Sequence, residues 1–268
     1  MSGSGQHSVA GGAVAHRAVA SDPAIVSQLP SAEGNAVLQA VMFDMDGLLV
    51  DSEPLWFRAE NAVMERLGGS WAEADQHLLV GGSMEATVRY LLSKASRPAE
   101  PADVAGWLVE AMVALLTSEP LPVLPGALEL LSQVRNAGLP HALVTSSEPE
   151  IVQAVFARLG RGAFPVTVCA ADVAHAKPDP EGYLLAAARL GVDPRASIAL
   201  EDSQNGVRAA EAAGYRTVAV PSMVPIAGQP GRVVLDSLAG ITLADLAAST
   251  GLAPPPAARL LMGRDLGS

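Results

Sequence analysis

Short apolar runs alternate with segments of helical periodicity along most of this chain, and that alternation restricts the possible folds more than any other feature. Five runs have the length and composition of buried strands: Leu38 to Phe43, Ala142 to Val144, Val166 to Ala170, Ile198 to Leu200 and Thr217 to Val220. Strand–helix alternation favours parallel strands joined by right-handed crossovers, with helices on both faces of the sheet. The sequence therefore predicts an α/β fold built on a parallel sheet.

Particular residues predict where two of the helices begin and end. Asp179 and Pro180 suit the N-cap and first position of a helix that runs to Leu190. Gly214 suits the position after the C-cap of a helix that begins near Ser203. Each of these helices follows a predicted strand, as the alternation requires.

One long stretch, from Leu55 to Val123, has helical spacing only. Its first helix is predicted to bury one face: Leu55, Ala59, Ala62, Val63 and Leu67. The connector after it contains prolines at positions 120, 122 and 125, which predicts a stiff link and a hinge. We therefore predict an all-helical cap at residues 55–123, inserted into a core of residues 38–54 and 124–247. Residues 1–37 are predicted to be a disordered tail, and residues 248–268 a C-terminal tail.

Charge and hydropathy argue against several classes of partner. Acidic residues outnumber basic ones by 28 to 17, and no Lys/Arg run is present, so nucleic acid is not expected as a partner. No stretch of about 18 consecutive apolar residues occurs, and the first forty residues lack the apolar segment of a secretory signal. We expect a cytoplasmic protein with no membrane partner. A monomer is the default expectation for this class.

Polar side chains concentrate directly after the predicted strands, where open α/β sheets bind ligands. The groups are Asp44 and Asp46 after the first strand, Thr145-Ser146-Ser147 after the second, and Glu201-Asp202-Ser203 after the fourth, with Lys177 just before a predicted helix. Taken singly, each group also fits an ordinary loop or helix cap. Their convergence on one crevice favours a functional site.

The carboxylates in this crevice predict a metal ion. Asp44, Glu201 and Asp202 repel one another unless a cation lies among them, and Mg²⁺ has the oxygen preference that fits carboxylates best. Mg²⁺ and Lys177 would supply local positive potential despite the net charge of −11, which makes a phosphate the natural ligand. The Thr145 hydroxyl and backbone N–H groups, including those of the helix after Ser147, would meet its oxygens.

The two carboxylates that follow the first strand can divide the chemistry. Asp44 fits a nucleophile, and Asp46, two residues further on and followed by Gly47, fits a general acid that later acts as a base.

In order and spacing, these motifs resemble those of the haloacid dehalogenase-like superfamily, and within it the phosphatases and phosphomutases with a helical cap. The motifs are DMDGLLVDS at 44–52, Thr145, Lys177 in KPDP, and EDSQNG at 201–206, and the resemblance covers about residues 38–235. It implies a Rossmann-like parallel sheet core with an inserted all-helical cap. It also implies that Asp44 forms an aspartyl phosphate and binds Mg²⁺, while Asp46 protonates the leaving alcohol and then activates water.

The resemblance assigns roles to the remaining residues as well. It places the side chains of Asp202 and Glu201 among the metal ligands, together with the backbone carbonyl of Asp46. Thr145, the Ser146 backbone N–H and Lys177 are implied to hold the phosphate. Ser203 and Asn205 are implied to support these groups from behind.

The resemblance also narrows the activity. Asp46 argues against dehalogenases and phosphonate hydrolases, which lack an aspartate there. β-Phosphoglucomutases carry a cap arginine where this sequence has Met84, and Arg89, five residues further on, would face elsewhere on a helix. The segment DMDGLLVDSEPLW with Arg58, Ala59 and Glu60 resembles phosphatases of 2-deoxyglucose 6-phosphate and hexitol phosphates.

We therefore predict a Mg²⁺-dependent phosphatase whose partner is a small phosphorylated metabolite, a sugar or polyol phosphate. A β-phosphoglucomutase-type sugar phosphomutase, a non-catalytic phosphometabolite-binding protein and a scaffold are the alternatives. Trp56 is interpreted as a packing residue and left outside the site, and Met42, Met45 and Met64 are interpreted as core.

Overall fold

The computed structural model describes residues 36–255, so most of the two tails predicted at residues 1–37 and 248–268 lies outside the described residues. The inner ends of those two segments pair with each other. Leu38 N donates to Ala253 O over 2.9 Å, and Ala253 N donates to Ala36 O over 2.9 Å. This short parallel bridge holds the two ends of the described chain together beside the core.

The core is one parallel sheet of six strands. The strands are β1 (Ala40–Phe43), β2 (His141–Val144), β3 (Val166–Val168), β4 (Ser197–Glu201), β5 (Arg216–Ala219) and β6 (Arg232–Val234). Their order is β3-β2-β1-β4-β5-β6, and every neighbouring pair is parallel. The order reverses on either side of β1, and ligands bind at such a reversal, beyond the carboxyl ends of the strands.

Nine α-helices surround and cap the sheet within the described residues. Four form the cap: α1 (Glu53–Arg66), α2 (Glu73–His77), α3 (Met84–Lys94) and α4 (Pro101–Ser118). Five belong to the core: α5 (Ala127–Asn136), α6 (Pro149–Leu159), α7 (Glu181–Leu190), α8 (Gln204–Ala212) and α9 (Leu243–Ser249). The predicted α/β fold with a Rossmann-like parallel sheet and a helical cap is confirmed.

Side chains of β1 alternate between two apolar layers, as the two-residue period of a strand requires. Val41 and Phe43 pack with residues of α5 and α6, whereas Ala40 and Met42 pack with residues of α7 and α8. Both layers are fully buried at β1, which explains why its run is apolar without interruption. The first polar side chain after the run, Asp44, therefore emerges at the reversal point.

Helix termini follow local capping chemistry, with one difference from expectation. Helix α7 begins at Glu181 rather than at Pro180: Pro180 takes the N-cap, and the Asp179 carboxylate accepts from Glu181 N over 2.9 Å. Helix α8 begins after Ser203, as predicted, and the Ser203 hydroxyl accepts from Gly206 N over 3.1 Å.

Strand β6, Arg232–Val234, was not predicted. It is three residues long, lies at the sheet edge and is only partly buried, and its short apolar run Val233-Val234-Leu235 was not interpreted as a strand.

Helix α1 buries most of the predicted face. Leu55, Ala59 and Val63 are buried, but Ala62 is exposed and Met64 is buried in its place. Residues 55, 59 and 63 recur every four positions, and Ala62 lies off that line.

Helix α4 spans 18 residues with a mean hydropathy of 1.2, which by length and composition alone is enough to cross a membrane. Its buried residues, Val104, Leu108, Met112 and Leu116, recur every four positions. They pack into the apolar clusters of the cap and the core, as in an amphipathic helix of a folded domain.

The two chain segments that join cap and core run side by side. Asp51 N donates to Pro122 O over 2.7 Å, and Leu124 N donates to Leu49 O over 3.1 Å. Val50 and Val123 form an antiparallel bridge between these bonds. The proline-rich connector is therefore one half of a paired, two-stranded link. The boundaries of cap and core, and the hinge, remain predictions.

Candidate active site

The carboxyl edge of the sheet brings the predicted residues to one place. Asp44 follows β1, Thr145 and Ser146 follow β2, and Asp202 follows β4. These residues line a cavity between core and cap together with Asp46 and Lys177. Glu201, the last residue of β4, is fully buried behind the cavity wall.

Lys177 is the cationic centre of this arrangement. Its Nζ donates to Asp44 Oδ1 over 2.8 Å, to Glu201 Oε1 over 2.6 Å and to Val144 O over 2.8 Å. Burial alone would lower the pKa of Lys177, but attraction to Asp44 and Glu201 outweighs it and raises the pKa above its ordinary value. The ammonium is therefore charged at neutral pH, and its three hydrogen bonds fix its position.

Three buried carboxylates gather beside it. Asp44, Glu201 and Asp202 each place an oxygen within 4.8 Å of the others. Burial, and next the charge of Asp44, raise the pKa of Glu201 to about 8 and the pKa of Asp202 well above its usual range. Like charges at this spacing need a cation among them.

The donor set fits a hard divalent ion. Glu201 Oε1 accepts from Lys177 and from the Tyr183 hydroxyl, while Glu201 Oε2 is buried and has no hydrogen-bond partner among the described residues. A buried carboxylate oxygen without a hydrogen-bond partner, in a cluster of oxygen ligands, is the arrangement expected of a Mg²⁺ site when the ion is left out. The three residues could therefore hold Mg²⁺.

Two glycines allow these carboxylates to approach. Gly47 has a φ of 71°, and a Cβ there would lie 2.0 Å from Asp202 Oδ2. A Cβ at Gly206 would lie 1.9 Å from Glu201 Oε2. Ser222, in the loop after β5, donates to Asp202 Oδ2 over 2.6 Å and fixes that carboxylate.

Asp46 is held differently from the three clustered carboxylates. Its Oδ2 accepts from the Ser147 hydroxyl over 2.6 Å and from the Thr145 hydroxyl over 3.4 Å. Its Oδ1 accepts from the Ser52 hydroxyl over 2.7 Å and from Trp56 Nε1 over 3.3 Å. Burial raises the pKa of Asp46 and outweighs these donors, which act in the opposite direction.

The segment after β2 offers donors at the cavity. Thr145 Oγ1 accepts from Ser147 N over 3.0 Å, which fixes the turn. Ser146 lines the cavity, and its backbone N–H has no acceptor among residues 36–255. A backbone N–H without an acceptor beside a cavity suits an anionic oxygen.

The family model described as haloacid dehalogenase-like hydrolase matches residues 38–214. The chain belongs to the haloacid dehalogenase-like hydrolases. The predicted resemblance is therefore confirmed, as is the prediction of a phosphatase enzyme.

Individual relatives are similar over most of their length. Hexitol phosphatase B of Escherichia coli (strain K12) is 36% identical over 213 residues, which cover 78% of this chain and 94% of the relative. The phosphorylated carbohydrates phosphatase of Thermotoga maritima is 35% identical over 182 residues, covering 68% of this chain and 84% of the relative. A mutant CbbY from Rhodobacter sphaeroides, in complex with xylulose-(1,5)bisphosphate, is 32% identical with a TM-score of 0.70; the match covers 78% of this chain and 99% of that chain.

In this haloacid dehalogenase-like hydrolase, the cap forms the other wall of the cavity. Trp56, which sequence analysis placed outside the site, lines the cavity and donates to Asp46. The indole N–H is the polar end of an otherwise apolar ring, and its target could not be read from α1 alone. Glu53, Glu60 and Gln76 also line the cavity.

Cap and core also meet at the predicted supporting residues. Asn205 Nδ2 donates to Gly81 O over 3.0 Å, so this residue bridges the core to a cap loop. Ser203 lies so close beneath that loop that a Cβ at Gly81 would come within 2.4 Å of the Ser203 Cβ. The position expected to distinguish mutases behaves as the sequence indicates: Met84 lines the cavity, while exposed Arg89 pairs with Glu85 on its own helix.

Four further polar residues around the site had no predicted role: Ser52, Ser147, Tyr183 and Ser222. Ser147 belongs to the polar group predicted after β2, and Ser222 follows β5, so the rule that located Thr145 could also have found Ser222. Tyr183 lies within α7 at an apolar spacing typical of core, and no local signal separates it from packing residues.

Proposed function

We propose that this hydrolase is a Mg²⁺-dependent phosphomonoesterase that acts on a small sugar or polyol phosphate through an aspartyl-phosphate intermediate. The observation that carries the proposal is the position of Lys177, which binds Asp44 and Glu201 at once beside an independently held Asp46. Such a site places an ammonium beside the nucleophile and keeps the nucleophile separate from the proton donor.

In the first step, an Asp44 carboxylate oxygen attacks phosphorus, and the bond from phosphorus to the ester oxygen breaks. Protonated Asp46 gives its proton to the departing alcohol oxygen. The raised pKa of Asp46 favours the protonated form that this step needs. Lys177 and the Ser146 N–H suit the phosphoryl oxygens, whose negative charge they stabilise.

In the second step, ionised Asp46 accepts a proton from water as the water oxygen attacks the aspartyl phosphate. The bond from phosphorus to Asp44 breaks, orthophosphate leaves, and Asp46 is protonated again. Ser52, Trp56 and Ser147 hold the Asp46 carboxylate throughout, so one group serves both steps without rotating away.

Mg²⁺ fits the site through Asp44, Asp202 and Glu201, with the Asp46 backbone carbonyl as the further ligand that the sequence motif implies. When bound, the ion would neutralise the clustered carboxylates and withdraw charge from the phosphoryl group. The orphaned Glu201 Oε2 supports this assignment.

The relatives support the substrate class. Hexitol phosphatase B and the phosphorylated carbohydrates phosphatase are named for phosphorylated polyols and carbohydrates. Met84, at the position where β-phosphoglucomutases carry an arginine, lines the cavity and favours hydrolysis over a mutase reaction. A cytoplasmic location and a monomeric state remain predictions.

The decisive experiment measures orthophosphate release from p-nitrophenyl phosphate and sorbitol 6-phosphate, with Mg²⁺ or with EDTA. We expect turnover only with Mg²⁺. Asp44→Asn should abolish turnover and also the acid-stable, base-labile label that ³²P-labelled substrate leaves on the wild-type chain. Glu85→Gln removes an exposed cap carboxylate and serves as the matched control. Turnover without Mg²⁺, or labelling of Asp44→Asn, would contradict the proposal.

A further inference from the structure

The cap wall of the cavity carries carboxyl groups that the proposed chemistry does not use. Glu53 and Glu60 lie on α1 seven residues apart, which places them two turns apart on the same face. Both line the cavity whose core wall carries Asp44 and Lys177. Glu53 is near enough to Asp46 for the charge of Asp46 to raise the pKa of Glu53, whereas the only carboxylate in the described part of the chain that acts on the pKa of Glu60 is Glu53. Glu60 therefore lies on the part of the cap wall that is farther from the phosphate.

Glu60 is positioned but not satisfied. It is only 4% exposed, and its Oε2 accepts from Trp71 Nε1 over 3.1 Å. Its Oε1 has no hydrogen-bond partner among the described residues, although the side chain lines the cavity. Among the described residues, Glu201 Oε2 is the buried side-chain oxygen that has no partner, so Glu60 Oε1 is instead open to the cavity and available to a ligand hydroxyl.

Glu53 and Gln76 form the second half of this group. Gln76 is 5% exposed, and its Nε2 donates to Glu53 O over 2.7 Å and to Glu53 Oε2 over 3.1 Å. Both hydrogens of the Gln76 amide nitrogen are thereby used, which leaves its carbonyl oxygen and one Glu53 oxygen for the cavity.

The charge of this wall matters as much as its hydrogen bonds. Burial, and next the charge of Asp46, raise the pKa of Glu53 to about 7, while burial and then the charge of Glu53 raise the pKa of Glu60 to about 8. At neutral pH the pair therefore offers both donors and acceptors, as hydroxyl groups require. Lys177 is the one cationic side chain among the described residues that line the cavity, and Asp44 and Glu201 already occupy it.

We propose that Glu53, Glu60 and Gln76 bind the uncharged hydroxyl groups at the far end of the substrate and exclude a second phosphate there. The inference rests on the proposed function and specifies its substrate as a monophosphate with a neutral, hydroxylated tail. A bisphosphate would place its second anion beside two carboxyl groups with no cation to pair with it.

The first test compares kcat/KM for sorbitol 6-phosphate, which has a hydroxylated tail, with kcat/KM for p-nitrophenyl phosphate, which has none. Glu60→Leu should lower the ratio of the two values about 10- to 100-fold, the loss expected for hydrogen bonds to a buried carboxyl. Glu60→Gln keeps an acceptor for Trp71 and a polar group for the hydroxyl, and should restore most of the ratio. Glu85→Gln is the control and should leave the ratio unchanged.

The second test compares wild-type kcat/KM for fructose 6-phosphate and fructose 1,6-bisphosphate. We expect the monophosphate to be preferred about 100-fold or more. Equal use of both substrates would overturn the inference. The inference would also be overturned if Glu60→Leu lowered kcat/KM for sorbitol 6-phosphate and for p-nitrophenyl phosphate by the same factor. That result would mean that Glu60 acts only through its structural contact with Trp71.

Binding separates this inference from the proposed function. Titration calorimetry of the full chain with Mg²⁺ measures the affinity for fructose 6-phosphate and for fructose 1,6-bisphosphate without requiring turnover. A chain that releases no phosphate from any substrate but binds the monophosphate more tightly refutes the phosphatase proposal and upholds the neutral-tail inference. A chain that hydrolyses both esters but binds the bisphosphate more tightly upholds the phosphatase proposal and refutes the neutral-tail inference.

Discussion

Trp56 Nε1, from the first cap helix, lies 3.3 Å from Asp46 Oδ1 on the core and donates a hydrogen bond to it. Asp46 has three other donors, and all of them come from the segments after β1 and β2. The indole is therefore the cap's direct contact with the proposed acid and base. The position of the cap and the orientation of Asp46 are coupled through this bond.

Replacing Trp56 with Phe tests that coupling. The ring remains to fill the space, but the donor is lost, so Asp46 is held less firmly when the cap is in place. We expect kcat for sorbitol 6-phosphate to fall several-fold, about the effect of one hydrogen bond. The pH profile of kcat should also shift upward, because one donor that lowers the pKa of Asp46 is removed. A change in KM alone, with an unaltered pH profile, would assign Trp56 to packing.

Asp46→Asn should slow the reaction most for substrates with poor leaving groups. An alkyl ester such as sorbitol 6-phosphate needs a proton on the departing oxygen, whereas p-nitrophenolate leaves without one. We expect a loss of about 10²- to 10⁴-fold for the alkyl ester and a much smaller loss in the leaving-group step for the nitrophenyl ester. Burst and steady-state kinetics on both esters measure this difference. Equal losses in that step would remove Asp46 from the role of general acid.

Mg²⁺ should stabilise the folded chain because it binds the native carboxylate cluster and not the unfolded chain. At a concentration of 100 times its Kd the expected gain is about 2.7 kcal/mol in the free energy of unfolding. Thermal denaturation with and without Mg²⁺ detects this gain. Asp202→Asn should lose most of it, while Glu85→Gln should keep it, since that carboxylate is exposed and far from the cluster. An equal Mg²⁺ effect in both variants would argue against the assigned ligands.

Glu60 should make folding stability depend on pH. Its pKa is raised to about 8 in the folded chain from 4.5, first by burial and then by the charge of Glu53. Between these values the native state holds a proton that the unfolded state releases, so stability falls as pH rises from about 4.5 towards 8. Glu60→Gln removes this contribution.

The stability of Glu60→Gln relative to wild type should therefore increase across that window, by at most about 1.4 kcal/mol per pH unit. Urea denaturation at several pH values checks the slope. Exposed Glu85→Gln should show no such trend. A constant difference between Glu60→Gln and wild type at all pH values would mean that Glu60 is ionised in the folded chain.

The sheet and the core of the site could be predicted because both depend on local signals. Apolar runs marked five of the six strands, and the polar residue at each strand end marked Asp44, Thr145 and Glu201. The run Val233-Val234-Leu235 at the edge strand β6 is equally short, and it was not interpreted as a strand. Parallel pairing then brings strand ends together whatever the rest of the chain does, so distant residues such as Asp44 and Glu201 could be placed in one crevice.

The cap wall could not be predicted in the same way. Which residues of α1 and α2 face the cavity depends on how the cap sits on the core, and that relation has no period in the sequence. Trp56, Glu60 and Gln76 all fit packing or surface positions when read along their helices alone. Tyr183, whose hydroxyl donates to Glu201, lies in the core helix α7 at a spacing typical of packing residues, and no local signal marks its polar contact.

The paired link between cap and core has an evolutionary consequence. Because Asp51 and Pro122 are joined by a backbone hydrogen bond, the whole cap enters and leaves the core at neighbouring points. A short turn could replace the cap without moving any strand, and a different insertion could take the place of the cap. The strands of the core and the helices of the cap thus occupy separate stretches of the gene, and the Trp56–Asp46 bond is a point at which changes in one stretch constrain the other.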